Sequence, residues 1–599
     1  MSPSRLVRAV GVLLILSLIA AGCSSKKTPG STTTGTKGGI LTVGAEQWAD
    51  CMNPITECAA GFWQTIMEWL ILPRLVDYDN QGNFVHSNLT TDLPSLANGG
   101  VKTDPTSKTN AMQLTFHLNP AAVWNDGTAI TSADVAFTWK AIMNTTGAYT
   151  RTGYTNISSV DATDPHTAII HFAKVYADWY DLFGGNQFGV LEKSKFPTAN
   201  QDKPDLSKYA ATGPVTFSGG PWVQQSWTQT KSVFVRNDKY WGHQPLLDQM
   251  TWVPEKDQAT EIADLLSGTI DVGFPQPGNA SILRQLASNP NAKSVAGTGN
   301  FYEALWINNQ DPTGVMKDKQ VRKAFMYAVD RSQVINGLIH LNAPNEQVLN
   351  CGAYALPGRG PWCAGAAGAP WSGITYDPQQ SLSILKADGY DCSKVPSSPC
   401  TKGGKSLTLS YRYCNGNARR QTTFDLVKNS VLAAGFAFNH TAQGNDCTSP
   451  LFTQTLPHGG DPSSTGTASL YQIGDYANGP IATDPQTSAN FLCNTVPDKA
   501  NGFGGANLQF FCNAQADALM TQADNQLDLT QRVSLEQQAW KIMFDEYAYL
   551  PLYDLPNVTI WRSDKVAGPV GVSNSHPLST FINSDQWYCA HPVTGATAC

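Results

Sequence analysis

An α/β fold is predicted by three observations on this 599-residue chain. Segments with apolar residues at helical spacing are interleaved throughout with short runs that alternate as strands. The composition, 41% hydrophobic and 15% charged, supports a substantial core. No fixed-period repeat is visible, and no long low-complexity run follows the N-terminal region, so a solenoid is excluded.

In chain order, the first element is a basic start at Arg5 and Arg8, an apolar run from Val10 to Ala20, and then Ala20-Ala21-Gly22-Cys23. Eleven apolar residues are too few to span about 30 Å of hydrocarbon as a helix, so residues 1–22 read as a signal peptide. The small residues before Cys23 resemble a lipoprotein signal, in which the cysteine is acylated after cleavage and becomes the first mature residue. Residues 23–37 are then a lipidated cysteine and a flexible tether, since this polar stretch cannot bury a core. Membrane contact through Cys23 and an extracytoplasmic location on the outer face of the cell membrane follow.

Further along, Thr131-Ser-Ala-Asp134 is a capping box opening a helix, with Val135, Thr138, Trp139 and Ile142 on one face. Ala259, Ile262, Ala263 and Leu266 repeat that spacing. Gly268 ends this second helix, and Ile270, Val272 and Phe274 alternate as a strand. Val321, Ala324, Phe325 and Ala328 form another helical face. Gly403-Gly404-Lys405-Ser406 imitates the end of a phosphate loop, but Pro399 stands where its first glycine belongs, so it reads as a turn before a strand at Leu407 to Tyr411. A last helix is predicted from Gln531 to Phe544.

Composition and motifs exclude several classes. Net charge is -7 with no basic run, which argues against nucleic acid. There is no G-x-S-x-G and no H-E-x-x-H, so no motif favours a hydrolase, and the chain reads as a non-enzyme. The ten histidines are scattered, and with no CxxC pair a zinc site has no support; neither metal nor cofactor is expected. Of thirteen cysteines, removing Cys23 leaves an even number in an oxidising compartment, which suggests disulfides. They fall into six neighbouring couples, Cys51/Cys58, Cys351/Cys363, Cys392/Cys400, Cys414/Cys447, Cys493/Cys512 and Cys589/Cys599, although spacing alone does not fix connectivity.

The stretch Leu114 to Trp139 (LTFHLNPAAVWNDGTAITSADVAFTW) resembles the signature of family 5 extracellular solute-binding proteins, the oligopeptide and dipeptide receptors of ABC importers. Other segments are similar in family order: Gly38 to Val43, Asn53-Pro54, Val235 to Gly242 (VRNDKYWG), Ser267 to Val272, Val321 to Arg331, and Leu550 to Tyr553. The resemblance implies a two-lobed periplasmic-binding-protein-like fold of the large peptide-receptor subclass, its lobes joined by crossing strands and closing by hinge motion. It implies lobe I from residues 38–59, 206–305 and 555–599, an inserted subdomain at 60–205, and lobe II at 306–554. It also implies a monomer that captures an oligopeptide or similar small solute and delivers it to permease subunits in the membrane. Receptors for oligosaccharides or metal chelates on the same fold, and an envelope or signalling lipoprotein without transport, are the alternatives.

The resemblance extends to ligand residues. Ile473-Gly-Asp475-Tyr476 is similar to a family stretch whose aspartate pairs with a ligand's α-amino group, although Gln472 and Ile473 replace the tryptophan region and Asp484-Pro485 stands farther off than usual. Glu46 matches a family acid near the ligand. Tyr471, Tyr476, Tyr302 and Trp306 are candidate aromatic walls. For a ligand carboxylate, Arg412, Arg419 and Arg420 are available, and no motif selects among them.

Overall fold

The computed structural model describes residues 35–599 apart from 47, 57–60, 105, 185–187, 198–199, 276–283, 341–344, 441–450, 462–470, 480–484, 486, 572–575 and 577–578. The expected signal segment, Cys23, Cys58, Cys447 and Asp484 lie outside the described residues.

The strands, in chain order, are β1 (Ile40–Glu46), β2 (Val76–Tyr78), β3 (Phe84–His86), β4 (Val101–Thr103), β5 (Met112–His117), β6 (Ile157–Asp164) and β7 (Thr167–Phe172). They continue as β8 (Trp222–Thr228), β9 (Lys231–Arg236), β10 (Gln249–Glu255), β11 (Val272–Gly273), β12 (Ala292–Ile307), β13 (Thr401–Lys402) and β14 (Lys405–Ser406). The last are β15 (Thr408–Arg412), β16 (Ala437–Asn439), β17 (Ile473–Asn478), β18 (Tyr549–Arg562), β19 (Val566–Ala567) and β20 (Tyr588–Cys589).

Ten of them form one mixed sheet in the order β16-β15-β17-β12-β18-β11-β1-β10-β9-β8. At one end β1 lies parallel to β10, and at the other β15 lies parallel to both β16 and β17. The middle is an antiparallel ladder of β12 and β18 running from Ala292↔Arg562 to Trp306↔Tyr549. Register shifts interrupt it between Gly297 and Phe301 and between Glu303 and Ala304. Gly299 sits inside the first shift, where a Cβ would collide with the carbonyl oxygen of Leu555, so only glycine lets the strands approach there.

Side chains pack into two large cores on either side of this ladder. One gathers residues from Leu41 to Phe274 together with Val566, Val570, Phe581, Trp587 and Cys589. The other gathers residues from Tyr302 to Leu555. Within the first, β4, β5, β7 and β6 make a separate four-stranded antiparallel sheet. Its strands β5 and β7 alternate buried with half-buried residues, the signature of a sheet covered on one face.

The helices follow their caps. The capping box at Thr131 and Asp134 opens Ser132–Asn144, with the Thr131 N–H donating to Asp134 Oδ2 at 2.8 Å. Its buried face carries Val135, Phe137, Thr138 and Ile142, whereas Trp139, expected on that face, is only half-buried and donates from Nε1 to Tyr154 O. Asp257 caps Gln258–Ser267, and Gly268 closes it in the left-handed conformation (φ 84°). The strand expected over Ile270 to Phe274 shrinks to Val272–Gly273, because β11 pairs with β1 only at Val43. Helices Lys319–Ala328 and Leu529–Asp545 start at Asp318 and Asp528 caps. Gly403 and Gly404, both at positive φ, turn the β13–β14 hairpin, so the phosphate-loop mimic is a tight turn.

Four disulfides are described: Cys351–Cys363, Cys392–Cys400, Cys493–Cys512 and Cys589–Cys599. Cys51 and Cys414 are also disulfide-bonded. No helix among the described residues is long and apolar enough to cross a membrane.

Candidate ligand-binding site

Asp475 lies in the middle of β17, paired with Leu305 of β12, rather than in a loop. It is fully buried (0% exposed), and its Oδ2 accepts a 2.7 Å hydrogen bond from the Tyr411 hydroxyl on β15. Glu303 of β12, also 0% exposed, stands beside it and takes two arginines. Arg420 donates from Nε to Glu303 Oε1 at 2.8 Å, and Arg419 donates from Nη1 to Glu303 Oε2 and, at 2.9 Å, to the Tyr553 hydroxyl. Burial alone would raise Glu303, but Arg419 and Arg420 overcome it and hold the carboxyl down at about 2. Asp475 goes the other way: burial, then the neighbouring Glu303 charge, push it well above the carboxylate range. The two neighbouring carboxyls are thus pushed in opposite directions.

The arginines come from the first turn of the 16-residue helix Ala418–Ala433, which follows β15 and is capped by Asn417 Oδ1 accepting from the Arg420 N–H. That places them at the C-terminal end of a parallel strand, where open α/β sheets present their crevices. It also places them where the cores meet, since a Cβ on Gly416 would lie 3.3 Å from the carbonyl oxygen of Lys256, which follows β10. Arg419 is 1% exposed, and its Nε and Nη2 have no hydrogen-bond partner among the described residues. The same holds for Asn417 Nδ2. Arg412 is also buried, at the end of β15. No sequence motif separated these arginines; what separates them is which N–H groups neighbours leave unused.

The aromatic candidates divide. Trp306 is a core residue: its indole is stacked between the rings of Tyr476 and Tyr549, and Nε1 donates to Tyr476 O at 2.8 Å. Tyr471 is buried in the second core with its hydroxyl on Leu508 O. Tyr302 and Tyr476 are different. Their hydroxyls, with those of Tyr354 and Tyr549, are buried and have no hydrogen-bond partner among the described residues. Tyr354, which the sequence reading did not single out, holds a strained positive φ of 60° on the loop braced by Cys351–Cys363. It packs edge-on to Tyr302. Each such hydroxyl is costly to bury unpaired, and all four lie in the second core around β12, β17 and β18.

Glu46 ends β1, in register with Glu255 of β10, and both are buried. Glu261 lies close to both; its Oε1 accepts from the Phe274 N–H at 2.7 Å. Burial, reinforced by neighbouring acids, raises Glu255 to about 7. Burial likewise raises Glu68, Glu536 and Asp554 to about 8. These groups hold protons when folded at pH values where the unfolded chain has released them. Between about pH 4 and pH 8 the folded state binds more protons, so stability declines as pH rises. Urea midpoints at pH 5, 6.5 and 8 should fall in that order, and a rising series would contradict these protonation states.

Two separately packed cores joined by long crossing strands define a two-lobed, binding-protein-like α/β fold. Residues 94–492 match the model of bacterial extracellular solute-binding proteins, family 5 (middle). The chain belongs to that family. It is 25% identical over 469 residues to the oligopeptide-binding protein OppA of Mycobacterium tuberculosis, covering 76% of this chain and 71% of that protein. Its fold is similar to the periplasmic EDTA-binding protein EppA, with a TM-score of 0.75, 17% identity, and coverage of 93% of this chain and 98% of EppA. It is also similar to the oligopeptide-binding protein AppA of Bacillus subtilis, solved with a nonapeptide: TM-score 0.72, 18% identity, and coverage of 93% and 100%. The family consists of solute-binding receptors rather than enzymes.

Proposed function

We propose that this chain is the extracytoplasmic solute receptor of an ABC importer, capturing an oligopeptide or similar small solute between its lobes and delivering it to the permease. The observation that carries the reading is the group of buried, unpartnered polar atoms between β12, β17, β18 and the first turn of Ala418–Ala433. A polar ligand enclosed there supplies the missing partners, so that enclosure and binding stabilise the same closed form. The relationship to OppA and to AppA supports a peptide as that ligand.

We assign lobe I to 38–59, 206–305 and 555–599, the inserted subdomain to 60–205 and lobe II to 306–554; a first core gathered from Leu41 to Phe274 and a second from Tyr302 to Leu555 support a division near these strands. Acylation at Cys23 would keep the receptor within reach of its permease. A chelate rich in carboxylates is the second reading, favoured by the unused arginine edge and by the likeness to EppA. Native mass spectrometry of protein purified without denaturation separates the two. A ladder of peptides supports the first, while one chelate species or a sugar overturns it.

A further inference from the structure

The crossing strands pass from one packed unit to another at a single irregularity. On β18, Val558 and Ile560 pack with Ile262, Leu265 and Ile270, whereas Leu555 of β18 and Tyr302 of β12 belong to the second core. Between these the ladder steps from Gly297↔Asn557 to Phe301↔Leu555, so residues 298–300 of β12 stand against residue 556 alone. A bulge of this kind interrupts the ladder and lets a strand bend, which makes it the place about which two separately packed cores can swing. Both cores reach it. Phe62, packed on the first core, meets Phe301 edge-on. From the other side Arg359 donates from Nη2 to the carbonyl oxygen of Gly299, in the middle of the bulge. Arg359 is buried, and Asp554 of β18 is a neighbouring carboxyl. The arginine sits on a stiff arm, the loop closed by Cys351–Cys363. At its base the Leu349 N–H donates to Leu552 O at 2.9 Å, and Arg331 Nη1 donates to Leu349 O at 2.9 Å and to Pro551 O at 3.2 Å. At its far end Gln537 Nε2 donates to Trp362 O at 3.0 Å. Gly358 and Gly360, at φ 78° and 64°, turn the chain on either side of Arg359. The arm is thus fastened to the second core at both ends and grips the bulge between them.

We infer that Arg359 is a hinge clamp: held out by the Cys351–Cys363 loop, it fixes the Gly299 carbonyl while the cores are together and so biases the molecule toward its closed form. A charged donor on a buried carbonyl is worth more than a neutral one, and a swing about the bulge carries that carbonyl away from an arm that moves with the second core. Arg359 is then a positioning residue, acting through the backbone of β12. The inference requires two cores that swing about the bulge and no particular solute, so its failure and that of the receptor reading are separable.

The test compares the mature protein, as purified, with Arg359→Gln, Arg359→Lys and Gly358→Ala by hydrogen exchange with mass spectrometry and by small-angle scattering. In Arg359→Gln the amides of 297–303 and 553–557 should exchange about 10- to 150-fold faster, the range for a hydrogen bond from a charged donor, and the radius of gyration should rise. Those of helix Ala418–Ala433, inside the second core, should keep the parental rate. Arg359→Lys retains a charged donor and should recover part of both shifts. Gly358→Ala leaves the guanidinium intact and meets open space, so it acts only through the positive φ that alanine disfavours; it should move both readouts in the same direction as Arg359→Gln. Should Arg359→Gln fail to fold, the other two variants carry the comparison. Parental exchange at the bulge overturns the inference. So does parental scattering in every variant, whatever the exchange. Exchange accelerated evenly across the second core marks an arginine that only supports the fold, and overturns it as well.

Discussion

Glu303→Ala is expected to destabilise the folded protein by about 3–5 kcal/mol, the cost of breaking a fully buried ion pair from one side. Glu303 is the anion that holds Arg419 and Arg420, both buried, and it lies beside a register shift in the β12–β18 ladder. Removing it leaves two buried guanidinium groups with Asp475 as the neighbouring carboxyl, which is not within the reach of their present hydrogen bonds. Its carboxyl sits at about 2, below its ordinary value. The stabilisation it supplies is therefore complete above about pH 4.5 and fades as pH falls through 2. Urea denaturation followed by tryptophan fluorescence at pH 7 measures the loss. A change below about 1 kcal/mol, the range of exposed ion pairs, would mean that the network does not hold this part of the fold.

The second large effect is expected at Asp178→Ala, and it falls on closure rather than on folding. Asp178 lies in the 3-10 turn Ala177–Asp181 against the first core, and it pairs with Arg532 of helix Leu529–Asp545 in the second. Both side chains are buried, and Leu527, just before that helix, packs onto the first core. Losing Asp178 removes a buried anion from Arg532 in the closed form, where Glu536 and the Trp362 ring remain its neighbours, whereas opening returns it to water. The cost, about 3–5 kcal/mol, then bears on closed relative to open. An equilibrium shifted by that much lowers apparent affinity by about two to three orders of magnitude. Small-angle scattering should show a larger radius of gyration for the variant, and Asp178→Leu with Arg532→Leu should bring it back toward the parent. A variant with parental scattering and affinity would show that this pair does not couple the cores.

What the sequence disclosed followed how local the cause was. The helix start at Thr131 was legible because Thr131 and Asp134 act within one turn. Crossing strands were legible through blocks similar to a known family. Asp475 was legible as a position, but its state was not. That state depends on Tyr411, 64 residues away, and on Glu303, which itself meets Arg419 across 116 residues of chain. That Arg419 keeps Nε and Nη2 without a partner among the described residues was beyond reach for the same reason: an unused N–H is defined by what surrounds it. A usable signal was nonetheless present, an Asn cap followed at once by paired arginines in a helix's first turn. Trp306 and Tyr471 were offered as walls because aromatic content does not distinguish a lining ring from a packed one. Tyr354 escaped notice because it lies in a loop without periodicity.

The described disulfides close short loops, and each stays on its own side of the crossing strands: three join residues of the 351–512 region and one joins Cys589 to Cys599. None of these four staples one jaw to the other. These four bonds thus stiffen each jaw without locking one to the other, so reducing them should soften the jaws individually. For a receptor that grips and releases as proposed above, these four bonds put covalent stiffness in the parts that do not move.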